Sequence, residues 1–216
     1  MRTKTLLLTA ALAAAGIVSS LAQSNVYSVN VVGYVNRDCA GNAGYTLLAN
    51  PLDSHTNTLN GVLASFLDAN SRVLKWNGVG FTISQRTASG WLPPTAGTLS
   101  VNPGEGFFVQ TPSGGPLKTV TFVGDVLQGS LTNAYTQLYN LSGNLFPDSG
   151  TATALGLVPT TGSRILVWNG ASYTIYQKTA SGWLPPGNGP TINVADGFFV
   201  HTAGGTFNWV RNVTVQ

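Results

Sequence analysis

The stretch RVLKWNGVGFTISQRTASGWLPP, residues 72–94, returns 92 positions later as RILVWNGASYTIYQKTASGWLPP, residues 164–186. Sixteen of the 23 aligned positions are identical without a gap, which chance does not produce. The similarity continues in NPGEGFFVQ (102–110) and NVADGFFVH (193–201). Internal similarity at a fixed spacing predicts a chain that is built from two related units.

The local patterns within each unit are mostly those of strands. The segment VYSVNVVGYV, from Val26 to Val35, is rich in β-branched and aromatic residues. The Asn-Gly pairs that begin at Asn77 and Asn169 predict two-residue type I′ turns between paired strands. Upstream, YTLLAN from Tyr45 aligns with YTQLYN, which starts at Tyr135.

One segment has the periodicity of a helix. Apolar residues recur with helical spacing after Asn57 and Thr58, either of which can cap the helix start, at Leu59, Val62, Leu63, Phe66 and Leu67. We therefore predict an all-β fold with one short helix and an internal duplication of two units of ~90 residues. Each unit is expected to be a β-sandwich or barrel-like body. The first spans residues 23–125 and the second residues 126–216.

Residues 1–22 have the pattern of an export signal. Basic residues near the start precede an apolar run over residues 6–18, and small residues then lead to a cleavage point between Ala22 and Gln23. The run is shorter than the ~20 apolar residues of a membrane-spanning helix. We expect a secreted, periplasmic or cell-surface protein without a permanent membrane anchor.

Charge excludes several classes of partner. Without Arg2 and Lys4 of the signal, eight of the ten basic residues remain against seven acidic ones. No basic cluster is present, which argues against nucleic acid and against anionic lipid as partners.

Cys39 is the single cysteine and cannot form an internal disulfide. It is interpreted as a loop thiol beside Asp38, with an intermolecular bridge as the alternative.

Catalytic and metal-binding patterns are missing from the sequence. His55 and His201 have no partners at metal-ligand spacing, and no nucleophile motif occurs, so no catalytic residue, metal or cofactor is predicted. Glu105 and Asp196 occupy matching positions before each double Phe. They are interpreted as turn residues; the alternative is a weak carboxylate pair of a hydrolase with its site between the units.

Aromatic residues are the candidate ligand-binding group. Trp76 and Trp168 precede the Asn-Gly pairs, Trp91 and Trp183 follow Ser-Gly, and Tyr173 lies between the two tryptophans of its unit. Exposed rings at turns stack on sugars, while buried rings cover the ends of a β core. Core packing is favoured for the first two tryptophans, and Trp91 and Trp183 fit either role.

The first unit resembles a module of exported bacterial proteins. The resemblance is carried by NPL at Asn50–Leu52, VLKWNG, NPGEGFFVQ and VTFVG, and it weakens in the second unit, where Ala195-Asp196 replaces Gly104-Glu105. The module is a β-rich repeat of surface and secreted proteins to which no activity is attached. The resemblance implies a non-catalytic structural, surface or assembly role with another surface protein as partner. The alternatives are a carbohydrate-binding module for polysaccharide and, less favoured, a hydrolase.

Overall fold

Strands dominate the computed structural model, which describes residues 31–136 and 138–214. The predicted signal, residues 1–22, and the predicted strand start at Val26 lie outside the described residues. We call residues 31–125 the first half. Its elements are β1 (Val32–Cys39), β2 (Tyr45–Ala49), helix α1 (Leu59–Val62), β3 (Arg72–Trp76), β4 (Phe81–Thr87), β5 (Gly90–Leu92), a short 3₁₀ helix (Pro94–Thr98), β6 (Gly106–Gln110) and β7 (Lys118–Asp125).

The second half, residues 126–214, contains strands and turns. Its elements are β8 (Gly129–Tyr135), β9 (Tyr139–Gly143), β10 (Gly150–Thr151), β11 (Arg164–Trp168), β12 (Tyr173–Thr179), β13 (Gly182–Leu184), β14 (Thr191–Ile192), β15 (Gly197–His201) and β16 (Phe207–Val213). The prediction of an all-β fold with one short α-helix is confirmed for the described residues. These residues belong to one compact unit. The domain boundary at residue 125 stays a prediction.

Each half contributes one five-stranded antiparallel sheet. The first sheet has the order β2-β6-β3-β4-β5, and the second sheet has the order β9-β15-β11-β12-β13. The strands of the two sheets correspond one to one: β2 to β9, β6 to β15, β3 to β11, β4 to β12 and β5 to β13. Two-stranded ribbons accompany the sheets, β1 with β7 and β8 with β16, and β10 pairs with β14. The repeated sequence phrase therefore forms the same three strands in both halves, β3-β4-β5 and β11-β12-β13.

Two hydrophobic cores lie behind the sheets, one mainly in each half, and Ala195 of the second half joins the first core. In the first core, Phe107 and Val109 of β6 pack with Phe122 of β7 and with the segment around α1. In the second core, Phe198 and Val200 of β15 pack with residues of the second ribbon. The intervening Phe108 and Phe199 point to the opposite faces of their sheets and join a third cluster. Burial on both faces explains why GFFV is continuously apolar rather than alternating.

Two details of the sequence interpretation, the β3–β4 turn and the alignment of Tyr135, are corrected. Trp76 pairs with Phe81, so the loop between β3 and β4 has four residues instead of a two-residue type I′ turn. The Asn77 side chain closes it by accepting bonds from the amides of Val79 and Gly80 at 3.1 and 2.9 Å. Tyr45 and Tyr139 begin the corresponding strands β2 and β9. The residue of the second half that corresponds to Tyr45 is therefore Tyr139 and not Tyr135, with which the sequence aligns it.

The predicted helix exists but is shorter than its pattern. Helical residues end at Val62, and turns carry the later apolar residues into the first core. Thr58 is the N-cap, and its hydroxyl accepts a bond from the Gly61 amide at 3.2 Å. Gly61 in so short a segment lowers helix propensity. A methyl group there would lie 2.2 Å from the Thr56 carbonyl oxygen, so the close approach requires glycine.

Cys39 is not a loop thiol. It is the last residue of β1, is 0% exposed, and belongs to the first core. Burial raises the pKa of its thiol to about 12, with the neighbouring Asp38 charge as a smaller cause. Cys39 therefore acts as an apolar core side chain in this fold.

Candidate functional site

Trp91 and Trp183 are buried in the cores of their own halves. Their residues are 5% and 7% exposed. The Trp91 indole N–H donates to the Asn60 side chain at 2.8 Å, and the Trp183 indole N–H donates to the Thr153 hydroxyl at 3.0 Å. A stacking platform needs an open ring face, so of the two roles that the sequence left open for these tryptophans their burial favours core packing.

Trp76 and Trp168 lie instead at the junction between the two halves. The Trp76 indole N–H donates to the backbone oxygen of Tyr139 at 2.9 Å. Trp168 makes the reciprocal bond to the backbone oxygen of Tyr45 at 3.0 Å. Both side chains are half-buried and belong to the third cluster. Each half is thus bonded through one tryptophan to the first strand of the other half's sheet, β9 for Trp76 and β2 for Trp168.

Aromatic rings fill this junction between the facing sheets. Phe199 of β15 lies edge-on to Trp76, with ring centroids 5.5 Å apart, and edge-on to Tyr173 at 5.8 Å. Phe108 of β6 makes the corresponding contact with Trp168 at 5.4 Å. Among the described residues the junction cluster connects eight Phe, Tyr and Trp rings: Tyr45, Trp76, Phe81, Phe108, Tyr139, Trp168, Tyr173 and Phe199.

Tyr173, a predicted stacking residue, is part of this cluster. Partial burial raises the pKa of its hydroxyl to about 12. With Trp76, Phe81 and Tyr139 it lines an apolar pocket of about 240 Å³ between the two sheets. The sequence interpretation did not include Tyr45 and Tyr139 among the candidate residues. It also missed Phe108 and Phe199, the second Phe of each GFFV. One sequence signal for these two Phe residues was available. Each lies between two apolar neighbours in its strand, so its side chain points to the opposite face of the sheet, which must then also be apolar.

Backbone contacts close the junction. The Ala49 amide donates to the Ala195 carbonyl at 2.9 Å, and the Gly143 amide donates to the Gly104 carbonyl at the same distance. Isolated bridges also pair Leu48 with Asp196 and Glu105 with Ser142. These contacts cover parts of β2 and β9, the edge strands at which the two sheets would otherwise be open.

Glu105 and Asp196 each have their own cationic partner. Glu105 accepts a bond from the Lys75 ammonium at 3.0 Å and from the Asn102 amide at 2.8 Å. Asp196 forms an ion pair with Arg37 and accepts bonds from the Asn193 amide and side chain at 2.9 and 2.8 Å. The bonds to residues three positions earlier show that both carboxylates fix their own turns, as the turn interpretation expects.

Two grooves flank the junction at corresponding places. The first groove, about 380 Å³, is lined by Trp76, Asn77, Glu105, Asn133, Tyr139 and Ser142, among others. The second groove, about 330 Å³, is lined by Arg37, Asp38, Tyr45, Leu117, Trp168 and Asp196, among others. Each groove thus combines one junction tryptophan, one first-strand tyrosine and one turn carboxylate. Glu105 and Asp196 line different grooves and do not face one another in either.

The described residues contain neither a cluster of metal-ligating side chains nor a helix that could span a membrane. No group of three or more His, Cys, Asp and Glu side chains in residues 31–136 and 138–214 is arranged to hold a metal ion. Over the same residues no helix has both the length and the apolarity of a membrane-spanning segment.

Comparison with known proteins finds no matching protein-family model, curated protein or solved structure. What the junction and its grooves can bind therefore follows from their own chemistry.

Proposed function

We propose that this chain is an exported, non-catalytic structural or assembly protein of a cell surface or extracellular matrix. The observation that carries the proposal is the reciprocal junction, in which Trp76 and Trp168 each bond to the opposite half. Two halves that are joined by paired hydrogen bonds and a shared ring cluster form a stiff body. Stiffness suits a building block, whereas a catalytic cleft between units needs room for substrate.

The two carboxylates support the non-catalytic proposal over the hydrolase alternative. Glycoside hydrolysis requires two carboxyl groups on either side of one bond, separated by about 5–10 Å. Glu105 and Asp196 line separate grooves, and each is engaged by a basic side chain and by a turn amide. Both carboxylates thus lie against basic and backbone N–H groups of their own turns and strands.

Exposed apolar residues at corresponding positions support an assembly role. Ile83 and Ile175 are 53% and 50% exposed, and Leu92 and Leu184 are 53% and 57% exposed. In each half the two residues lie on the same face of the sheet, one strand apart. Because one chain carries this apolar pair twice, the partner that fits is a second copy, one pair packing on the other. Such head-to-tail contacts can continue along a chain of copies.

Sedimentation velocity over a range of protein concentrations tests this assembly. We expect the unmodified protein to form larger species as its concentration rises. The Ile83→Thr/Ile175→Thr double variant, which keeps β-branching but loses apolar surface, is expected to remain monomeric. The Thr82→Ser/Thr174→Ser double variant changes exposed neighbours on the opposite sheet face and should behave like the unmodified protein. A protein that stays monomeric at all concentrations would contradict self-assembly.

A further inference from the structure

We propose that the first groove binds a neutral glycan chain, with Trp76 and Tyr139 as its aromatic surface. This site is separate from the exposed Ile and Leu pairs, and its ligand does not depend on self-assembly. Its volume of about 380 Å³ lies within the usual ~300–1,000 Å³ of small-molecule sites. The groove lies where the tip of the β3–β4 hairpin, the turn before β6 and strands β8 and β9 meet.

The aromatic surface is held in place before any ligand arrives. The Trp76 indole N–H is fixed by the Tyr139 carbonyl, and the ring lies edge-on to Phe81 at 5.1 Å and to Phe199 at 5.5 Å. Tyr139 is 36% exposed and lies beside Trp76 in the same groove. Rings that need no reordering lose little entropy when a sugar ring packs on them.

Hydrogen-bonding groups surround the two rings. Asn77, Asn133 and Asn140 bring amide groups to the groove, beside the buried Ser142 hydroxyl, which bonds to Tyr135 and to the Gly104 carbonyl. The Asn133 amide donates to the Gly143 carbonyl at 2.8 Å, which fixes the direction of its side chain. Amides and hydroxyls both donate and accept, as sugar hydroxyls do. This combination of fixed rings and convergent amides favours a polyhydroxylated ligand over an apolar one.

The charge in the first groove favours a neutral ligand. Glu105 is the acidic side chain of its lining, and Lys75 lies 3.0 Å from its Oε2 atom. The Asn102 amide also bonds to Oε2, so the second carboxylate oxygen is the one that can accept a sugar hydroxyl. Because Lys75 neutralises this carboxylate, the pair has little net charge with which to attract either a cationic or an acidic ligand.

The second groove is a natural control within the same molecule. It has a tryptophan and a tyrosine in corresponding positions, Trp168 and Tyr45. Its other lining residues include Arg37, Asp38 and Leu117, and none of the described residues that line it is Asn or Gln. Because the rings correspond but the amides are missing, we expect glycan binding in the first groove alone.

Tyrosine variants provide a matched test. Tyr139 and Tyr45 are both 36% exposed, and each lies edge-on to the central Phe of its sheet, at 6.4 and 6.2 Å. Binding is measured by titration calorimetry with cellohexaose, laminarihexaose, xylohexaose and maltohexaose, and with hexagalacturonic acid as the acidic comparison. We expect at least one neutral hexasaccharide to bind. Tyr139→Ala should weaken its binding about tenfold, and Tyr45→Ala less than about twofold.

A second pair of variants, at Asn77 and Asn169, keeps the proposal testable if a tyrosine variant fails to fold. Asn77 and Asn169 close equivalent loops through equivalent side-chain bonds, and Asn77 lines the first groove. Asn77→Ala should weaken glycan binding several-fold while Asn169→Ala should not. The proposal is overturned if no neutral hexasaccharide binds, if the acidic one binds better, or if the two members of each pair lose affinity equally.

Discussion

Gly143 faces Ala49 across the junction with no space for an additional methyl group. A Cβ atom added to Gly143 would lie 2.0 Å from the Ala49 Cβ, closer than real Cβ atoms approach. Gly143 ends β9 and Ala49 ends β2, so the two edge strands meet here. The junction therefore depends on a small residue from each half.

Gly143→Ala should destabilise the protein by about 2 kcal/mol or more, because overpacking forces the two edge strands apart. The measurement is urea unfolding followed by tryptophan fluorescence. Gly80→Ala is the control, since a methyl group there would meet no atom within 4 Å. Adding Ala49→Gly to Gly143→Ala should recover most of the lost stability. If the second change does not help, the clash is not the cause.

The reciprocal tryptophan bonds predict that the two halves unfold together. Trp76→Phe keeps an aromatic side chain, although a smaller one, and removes the indole N–H that reaches Tyr139, so it should lower the free energy of unfolding by about 1 kcal/mol or more. Trp168→Phe should cost a similar amount through the lost bond to Tyr45. Circular dichroism and fluorescence should show one shared transition in each variant. Two separate transitions would show that the halves are independent.

The strands were predictable from the sequence because they depend on local pattern, but the directions of the tryptophans were not. Trp91 pairs with Arg86 and points to the first core, whereas Trp76 pairs with Phe81 on the face that meets the second sheet. A one-residue change of register exchanges these faces. Both faces are apolar here, so the pattern alone gives no sign of which face lies in which core.

The junction could not be derived from the repeat for a related reason. Alignment compares the halves with one another, so it shows what they share and not where they touch. Trp76 and Trp168 align with each other, yet their partners are Tyr139 and Tyr45 of the opposite halves. The turn roles of Glu105 and Asp196 were predictable because they depend on residues only three positions away.

Trp91 should matter for stability because it is buried. Trp91→Ala removes a large core side chain and its bond to Asn60, with an expected cost of about 3–5 kcal/mol. The adjacent Leu92 is 53% exposed, and Leu92→Ala should change stability by no more than about 0.5 kcal/mol. Guanidinium chloride unfolding compares the two variants. Equal effects would mean that Trp91 is not packed in the core.

The raised pKa of the buried Cys39 thiol leads us to expect a loss of stability at alkaline pH. Its thiol has a pKa of about 12 in the folded chain, against 9.0 for an ordinary thiol. Above pH 9 the unfolded thiol releases its proton while the folded thiol keeps it, so ionisation favours unfolding. This contribution is constant below pH 9 and is lost at about 1 kcal/mol per pH unit as the pH rises towards 12.

Cys39→Ala isolates this effect, because every other titrating group, including the buried Tyr135, is common to both proteins. Urea unfolding of both proteins at a series of pH values from 8 to about 11 gives the difference in free energy. We expect the advantage of the unmodified protein over Cys39→Ala to be flat up to pH 9 and to shrink above it. An aromatic disulfide reagent should label Cys39 only after urea is added, since the folded thiol is buried. A constant difference across the whole series, or rapid labelling of the folded protein, would contradict the position of Cys39 in the first core.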